Sequence, residues 1–288
     1  MLRNILLKSV LEISKFFPKK NHPFNNSKNG IFDLNYSTHE FESAPGLEKL
    51  FSKNFDFESL KDKKILDIGC GGGGKGVYFA LKYSCLVYGI DTSKNFISQA
   101  NSIAKEKGVL DNCFFTLGDA HKMDFGDDFF DLILLHDVIE HIPDTAQLLR
   151  ESFRVLKPGG KILINFAPYY EIFGHHLWDT LPIPWLHVFF SDKFLIDLYK
   201  LSVKNLPDKE KRIDLRIGKN NKGNEAFTYL NKITKRKFQK ILNNFIKSDK
   251  FLINYQKQYF LKNLNFLSKI PFLDELRARL WVIILEKK

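Results

Sequence analysis

From Lys63 to Pro168, short runs rich in β-branched and aromatic residues alternate with stretches whose apolar positions recur every three or four residues. The runs predict strands at Lys64–Ile68, Leu86–Asp91, Cys113–Leu117, Leu132–His136 and Lys161–Phe166. Between them, Ser93 begins a helix with Phe96, Ile97, Ala100, Ile103 and Ala104 on one face, and Gly108 stops it. Asp144 begins another, carrying Leu148, Leu149, Ser152, Val155 and Leu156 until "KPGG" ends it at Pro158. Strand and helix in alternation predict a parallel sheet wrapped by helices.

The rhythm breaks after Pro168. Residues 169–190, "YYEIFGHHLWDTLPIPWLHVFF", hold seven aromatics, and a polar, lysine-rich stretch follows to about Lys232. Regular structure is expected to resume with "TKRKFQKILNNFIKS", a helix capped by Thr234, and two strands, "FLINYQKQYF" and "RLWVIILEKK". Such a hairpin would complete the sheet and make 169–232 an insertion. The chain is thus divided into an N-terminal helical segment (1–60), a core (61–168), an aromatic and basic insertion (169–232) and a completing C-terminal part (233–288). In the first of these, Leu2, Ile5, Leu6, Val10, Ile13 and Phe17 recur at helical spacing. They predict an amphipathic helix lying over the domain, with peripheral membrane contact as the second reading.

Composition narrows the class. With 288 residues and 44% apolar content the chain can bury a large core. Cys70, Cys85 and Cys113 form no C-x-x-C and no zinc spacing, so buried thiols in a reducing, cytoplasmic setting are expected. The N-terminus is broken by Lys8, Glu12 and Lys15, unlike a signal peptide, and no apolar run reaches the roughly 18 residues of a membrane span. Of the net charge of +11, residues 169–288 carry the whole excess, with 23 Lys and Arg against 12 Asp and Glu. Such a bias suits nucleic acid, anionic lipid or an acidic substrate, and a general lysine bias explains it equally well.

The chemistry concentrates in "LDIGCGGGGKG", with six glycines between Gly69 and Gly76. Gly69, Gly71 and Gly74 fit a dinucleotide G-x-G-x-x-G; Gly69, Gly74 and Lys75 fit most of a phosphate-binding loop; Asp67 in front suits a cationic cofactor. The phosphate loop requires Ser or Thr after the lysine, where this chain has Gly76. In an open α/β sheet, ligands bind at the carboxyl ends of the strands. Asp67, Asp91, Asp119 and Asp137 stand at four such ends, which suits a ligand with positive charge and hydroxyls better than a pyrophosphate. A nicotinamide-dependent oxidoreductase stays open as a rival.

The ordered set "ILDIGCGGGGKG", "GIDTS", "GDAHKMDF", "FDLILLHDVIEHIPD" and "RVLKPGGKILINFAP" resembles class I S-adenosylmethionine-dependent methyltransferases of the type 11 kind over roughly Lys61–Pro168. The resemblance resumes in the last 55 or so residues. It implies an α/β, Rossmann-like, seven-stranded and mostly parallel sheet with helices on both faces, an antiparallel last strand and an insertion after the fifth. The implied cofactor is S-adenosyl-L-methionine. Asp67, Gly69 and Gly71 would lie against its methionine part, Asp91 with Thr92 at the ribose, Asp119 and Ala120 at the adenine, and His136 with Asp137 near the transferred methyl. The added glycines, Gly72 to Gly74, would only loosen the loop, and Lys75 would be an ordinary early-helix residue.

The expected reaction is methyl transfer to a small-molecule or lipid-like acceptor, with RNA methylation as the alternative and a non-catalytic interaction protein of the same fold as a third. An oxygen acceptor needs a base, for which His136, His141, His175, His176 and His187 are candidates. "DVIEH" is similar to the metal-binding E-x-x-E-H of some methyltransferases, which makes Asp137, Glu140 and His141 weak metal candidates where no metal is expected. The aromatic segment Tyr169–Phe190 is expected to act as a substrate lid.

Overall fold

The computed structural model describes residues 2–18, 35–248, 250–261 and 271–288. The parts of the N-terminal and C-terminal segments at 19–34 and 262–270 lie outside the described residues, as does Met1. The chain forms two compact units, one from 34–166, 236–259 and 280–288, the other from 1–33, 167–235 and 260–279.

The first unit holds the sheet. Its strands are β1 (Lys64–Ile68), β2 (Leu86–Asp91), β3 (Cys113–Leu117), β4 (Phe130–His136), β5 (Leu156–Phe166), β8 (Phe251–Phe260) and β9 (Ala278–Lys287), β6 and β7 belonging to the second unit. They lie in the order β3-β2-β1-β4-β5-β9-β8. The first five are parallel, and β9 runs antiparallel to β5, with Ile164 opposite Ile283 and Asn165 opposite Val282. This is a Rossmann-like sheet. Its central strands read as continuous apolar runs because both faces are covered: Leu132–Leu135 and Ile162–Ile164 are buried throughout.

Two strands begin earlier than their apolar runs suggest. β5 starts at Leu156, so "KPGG" lies within the strand and does not terminate the preceding helix, which ends at Val155. The register shift between Phe130 and Leu132 accommodates this irregular stretch.

The connecting helices follow their caps. The helices of this unit are α2 (Asn35–Phe51), α3 (Gly74–Tyr83), α4 (Lys94–Glu106), α5 (Thr145–Val155) and α9 (Lys235–Lys247), α1 (Leu2–Ser14) being the first helix of the chain. Ser93 Oγ accepts from Phe96 N–H, and Asp144 Oδ1 accepts from Gln147 N–H at 2.9 Å. Phe238, Leu242 and Phe245 are the buried positions of α9, and Phe238 packs at the edge of Phe166 and Trp281. The sequence pattern did not reveal α2. It turns Ala44, Leu47 and Phe51 inward and is laced to α3 by Glu48, which accepts from Tyr78 and from Lys82, each at 2.7 Å.

The second unit contains regular elements in the segment read from the sequence as an insertion. Residues 169–232 contain α6 (Leu186–Phe189), α7 (Asp192–Val203), α8 (Lys209–Arg216) and the hairpin of β6 (Ile217–Lys219) with β7 (Glu225–Phe227); α10 (Pro271–Arg277) lies later in the chain. Ser191 caps α7 by accepting from Phe194 N–H, and Phe194, Leu195, Leu198, Tyr199 and Val203 form its buried face. Arg212 and Arg216 are buried around Asp179, which takes Arg212 Nη1 at 2.8 Å and Arg216 Nη2 at 3.3 Å. Arg216 Nη1 also donates to Tyr199 at 2.7 Å. Paired buried charges of this kind fix α8 on α7, since removal of either partner strands a charge.

α1 also departs from expectation. Leu7, Val10 and Ser14 are its buried residues, and Leu7, Val10 and Leu11 join the cluster of Leu195, Leu198 and Tyr199. Of the expected face only Val10 is buried; Leu2, Ile5, Leu6 and Ile13 face solvent. A second apolar stripe, offset around the helix, is the one that packs. Among the described residues no helix is long and apolar enough to cross a membrane.

Candidate active site at the carboxyl ends of the strands

β1 delivers Asp67 to its carboxyl end and the chain turns at once into the glycine loop. Gly69 and Cys70 donate their N–H groups to Ile90 O at 2.8 and 3.1 Å, which ties the loop to the end of β2. There Asp91 Oδ2 accepts from Gly71 N–H at 3.1 Å and Oδ1 from Ser93 N–H at 2.8 Å. Burial raises the Asp91 pKa against these two hydrogen bonds. Each carboxylate oxygen has a second lone pair for a ligand hydroxyl. Thr92 beside it is exposed.

The added glycines are packing positions, which corrects the expectation of a loosened loop. α2 crosses directly over them. A Cβ on Gly74 would lie 2.1 Å from Ser37 O and 2.4 Å from Phe41 N, so only glycine lets the two backbones meet. Gly71 needs glycine for its backbone, with φ at +54°. Lys75 is likewise no ordinary surface lysine: it is largely buried and its Nζ lies 2.8 Å from Glu40 Oε1 on α2. Burial opposes its charge, but Glu40, Tyr36 and Asp67 outweigh that and hold its pKa above the usual lysine range.

Asp67 is buried, with 3% of its surface exposed, and burial pushes its pKa up to about 7, with Lys75 acting against and Glu40 and Asp91 acting with the shift. Asp67 Oδ2 and Glu40 Oε2 are buried carboxylate oxygens that accept no hydrogen bond. Unsatisfied acceptors of this kind cost free energy unless a donor arrives. A cationic N–H donor satisfies them, and a phosphate, which brings only acceptor oxygens, does not. The pair of acceptors therefore fits a cofactor with a positively charged end and disfavours a pyrophosphate.

The other strand ends complete the crevice. At the end of β4, His136 Nδ1 lies 2.7 Å from Asn165 Oδ1, His136 Nε2 is 3.3 Å from Asp137 Oδ2, and Asn165 Nδ2 donates to Asp137 Oδ1 at 3.1 Å. Asp137 is held in the left-handed region at φ 51°. Burial pulls the His136 pKa below the ordinary imidazole range, against Asp137 and Asn165, which favour its charged form. After β3, Asp119 is exposed and accepts from His121 N–H at 2.9 Å, which with His121 itself holds its pKa low, while Ala120 is buried.

The remaining candidates are distributed. Glu140 is buried and His141 exposed; among the described residues no three ligating side chains converge for a metal, so Asp137, Glu140 and His141 are not brought together. His175, His176 and His187 stand in the second unit. Both ring nitrogens of His175 are occupied, one accepting from Leu177 N–H at 3.0 Å and the other 3.1 Å from Ile183 O. Burial lowers the pKa of His175 to about 3 and of His187 to about 4. His187 packs among the rings of Tyr169, Tyr170 and His175, and His176 lies near Tyr229. Cys70, Cys85 and Cys113 are free and buried.

A Rossmann-like sheet with acids and a glycine loop gathered at its carboxyl ends is the frame of the candidate site. Residues 59–177 match the family described as "Methyltransferase domain". Over 114 residues the chain is 40% identical to norajmaline N-methyltransferase of Rauvolfia serpentina, covering 40% of this chain and 39% of that enzyme. Over 154 residues it is 38% identical to phosphoethanolamine N-methyltransferase 3 of Arabidopsis thaliana, covering 49% of this chain and 31% of that enzyme. The matched stretch is thus well under half the length of either relative. Geranyl diphosphate methyltransferase, solved in complex with S-adenosylmethionine, shares the fold at a TM-score of 0.52, with 13% identity over 93% of this chain and 95% of its own.

Proposed function

We propose that the protein is an S-adenosyl-L-methionine-dependent methyltransferase acting on a small-molecule or lipid-like acceptor. The observation that carries this reading is the pair of buried, unsatisfied carboxylate oxygens on Asp67 and Glu40 beside the glycine loop. They speak against the nicotinamide alternative, whose pyrophosphate would meet acceptors with acceptors. Norajmaline and phosphoethanolamine, the substrates for which these relatives are named, are small molecules and support the acceptor class.

When bound, the sulfonium cofactor supplies an already activated methyl group. The chain's own residues then bind and orient. Asp91, fixed by Gly71 and Ser93, accepts from the ribose hydroxyls with its remaining lone pairs; Ala120, with Asp119, borders the adenine; the glycine loop admits the amino-acid end. Alignment of nucleophile, methyl carbon and sulfur contributes up to about 7–11 kcal/mol in favourable cases. Where the acceptor is a hydroxyl, His136 is the proton acceptor we favour, because burial keeps its imidazole neutral.

The test is incubation of the purified protein with methyl-labelled cofactor and a metabolite extract, followed by identification of the labelled product. A labelled small molecule is the expected result; label found only in RNA would move the assignment to nucleic acid. Failure to bind the cofactor at all would remove the activity.

A further inference from the structure

Glu40 lies outside every strand-end motif, on α2, yet it faces the glycine loop. Its carboxyl group is 3% exposed as a residue, its Oε1 is held by Lys75 at 2.8 Å, and its Oε2 has no partner. A Cβ placed on Gly71 would come within 2.9 Å of Oε1, and one on Gly72 within 3.2 Å of Oε2, so the carboxylate rests against the loop that receives the cofactor. Glu40 also acts on Asp67, whose own unpartnered Oδ2 completes a pair of buried acceptors.

The methyl donor carries two positive centres. A sulfonium has no hydrogen to donate, whereas the α-ammonium of the amino-acid end has three N–H donors. Two buried acceptors lacking hydrogen bonds therefore match the ammonium. Resting on the methyltransferase assignment above, we propose that Glu40, with Asp67, receives the α-ammonium group of the cofactor, while Lys75 holds the Glu40 carboxylate in place through Oε1. The division of labour follows from the two oxygens: Oε1 serves the lysine permanently and Oε2 serves the ligand.

The experiment compares two probes by calorimetry at pH 8 on the full chain. S-adenosylhomocysteine carries the amino-acid end; 5′-methylthioadenosine has the same nucleoside and sulfur without it. Glu40→Gln should weaken S-adenosylhomocysteine about ten- to hundredfold, the scale of one charge-assisted hydrogen bond, and leave methylthioadenosine within about twofold. Should Glu40→Gln fail to fold with Lys75 left unpaired, the double variant Glu40→Gln, Lys75→Gln removes both charges and should lower the selectivity between the probes by the same factor. Equal losses on both probes, or an unchanged affinity for S-adenosylhomocysteine, overturn the role of Glu40. A wild-type protein that binds neither probe overturns the cofactor assignment and this role with it.

Discussion

At the scale of single residues, the acids at the strand ends are unequal, and their environments say why. Asp91 is held by two backbone N–H groups and needs no ligand to be oriented. Asp91→Ala should therefore weaken S-adenosylhomocysteine about ten- to hundredfold, by loss of a charge-assisted contact, while the denaturation midpoint of the free protein moves little. Asp67 behaves differently. Its pKa is about 7 in the folded protein against about 3.9 in an unfolded chain. Between those values the native state holds the extra proton, so the contribution of Asp67 to stability is fully present below about pH 4 and is lost as pH rises through about 7. Urea titrations at pH 5 and pH 8 should show Asp67→Asn gaining on the wild type as pH rises; parallel curves would refute the shift. Binding has the opposite sign, because a cation prefers the ionised carboxylate. Affinity for S-adenosylhomocysteine should climb through pH 7 and level off above it, and Asp67→Asn should flatten that rise. The sequence made Asp67, Asp91 and Asp137 legible because each stands in or beside the carboxyl end of a strand run. It hid Glu40 and the true setting of Lys75, since a partner 35 residues away leaves no local signal.

At the scale of elements, the glycine run is understood only together with α2. Gly74 is the contact point of two backbones, and Gly74→Ala should destabilise the protein by about 1–3 kcal/mol, as overpacking does, and weaken cofactor binding as α2 is displaced. A measured loss below about 0.5 kcal/mol, typical of an unconstrained surface site, would show that α2 does not press there. Caps and periodicity made the core helices readable, and Asp144→Ala should remove about 1 kcal/mol from the start of α5, measurable as a shift in urea midpoint. The same signals were present for α7, where Ser191 precedes Phe194, Leu195 and Leu198. The flanking aromatic and lysine-rich composition masked them. In α2 an internal Pro45 interrupts the pattern that Phe41, Ala44 and Leu47 would otherwise make. α1 failed in a different way: it has two apolar stripes, and periodicity alone cannot say which one meets a partner.

At the scale of the whole molecule, a cofactor that binds only the native state must stabilise it. S-adenosylhomocysteine at a hundred times its dissociation constant should add about 2.7 kcal/mol, seen as a rise in Tm, and NAD at the same concentration should add nothing. In residues 169–288, Lys200, Arg212, Arg216, Lys232, Lys235, Arg277 and Lys287 are paired with acids, and the net excess of +11, which already subtracts those acids, falls on the remaining cations. The parallel sheet was legible from the alternating strand and helix runs, and the closing strands from two strand-like runs after the C-terminal helix; the strand order was not. The placement of β9 between β5 and β8 has a consequence for synthesis. Until residues 278–287 leave the ribosome, β5 presents an open apolar edge, and Asn165, which orients Asp137, sits on that edge. Nascent chains with such an edge are prone to pair with one another. Chains truncated before residue 278 should therefore aggregate where the full chain stays dispersed, as read by light scattering.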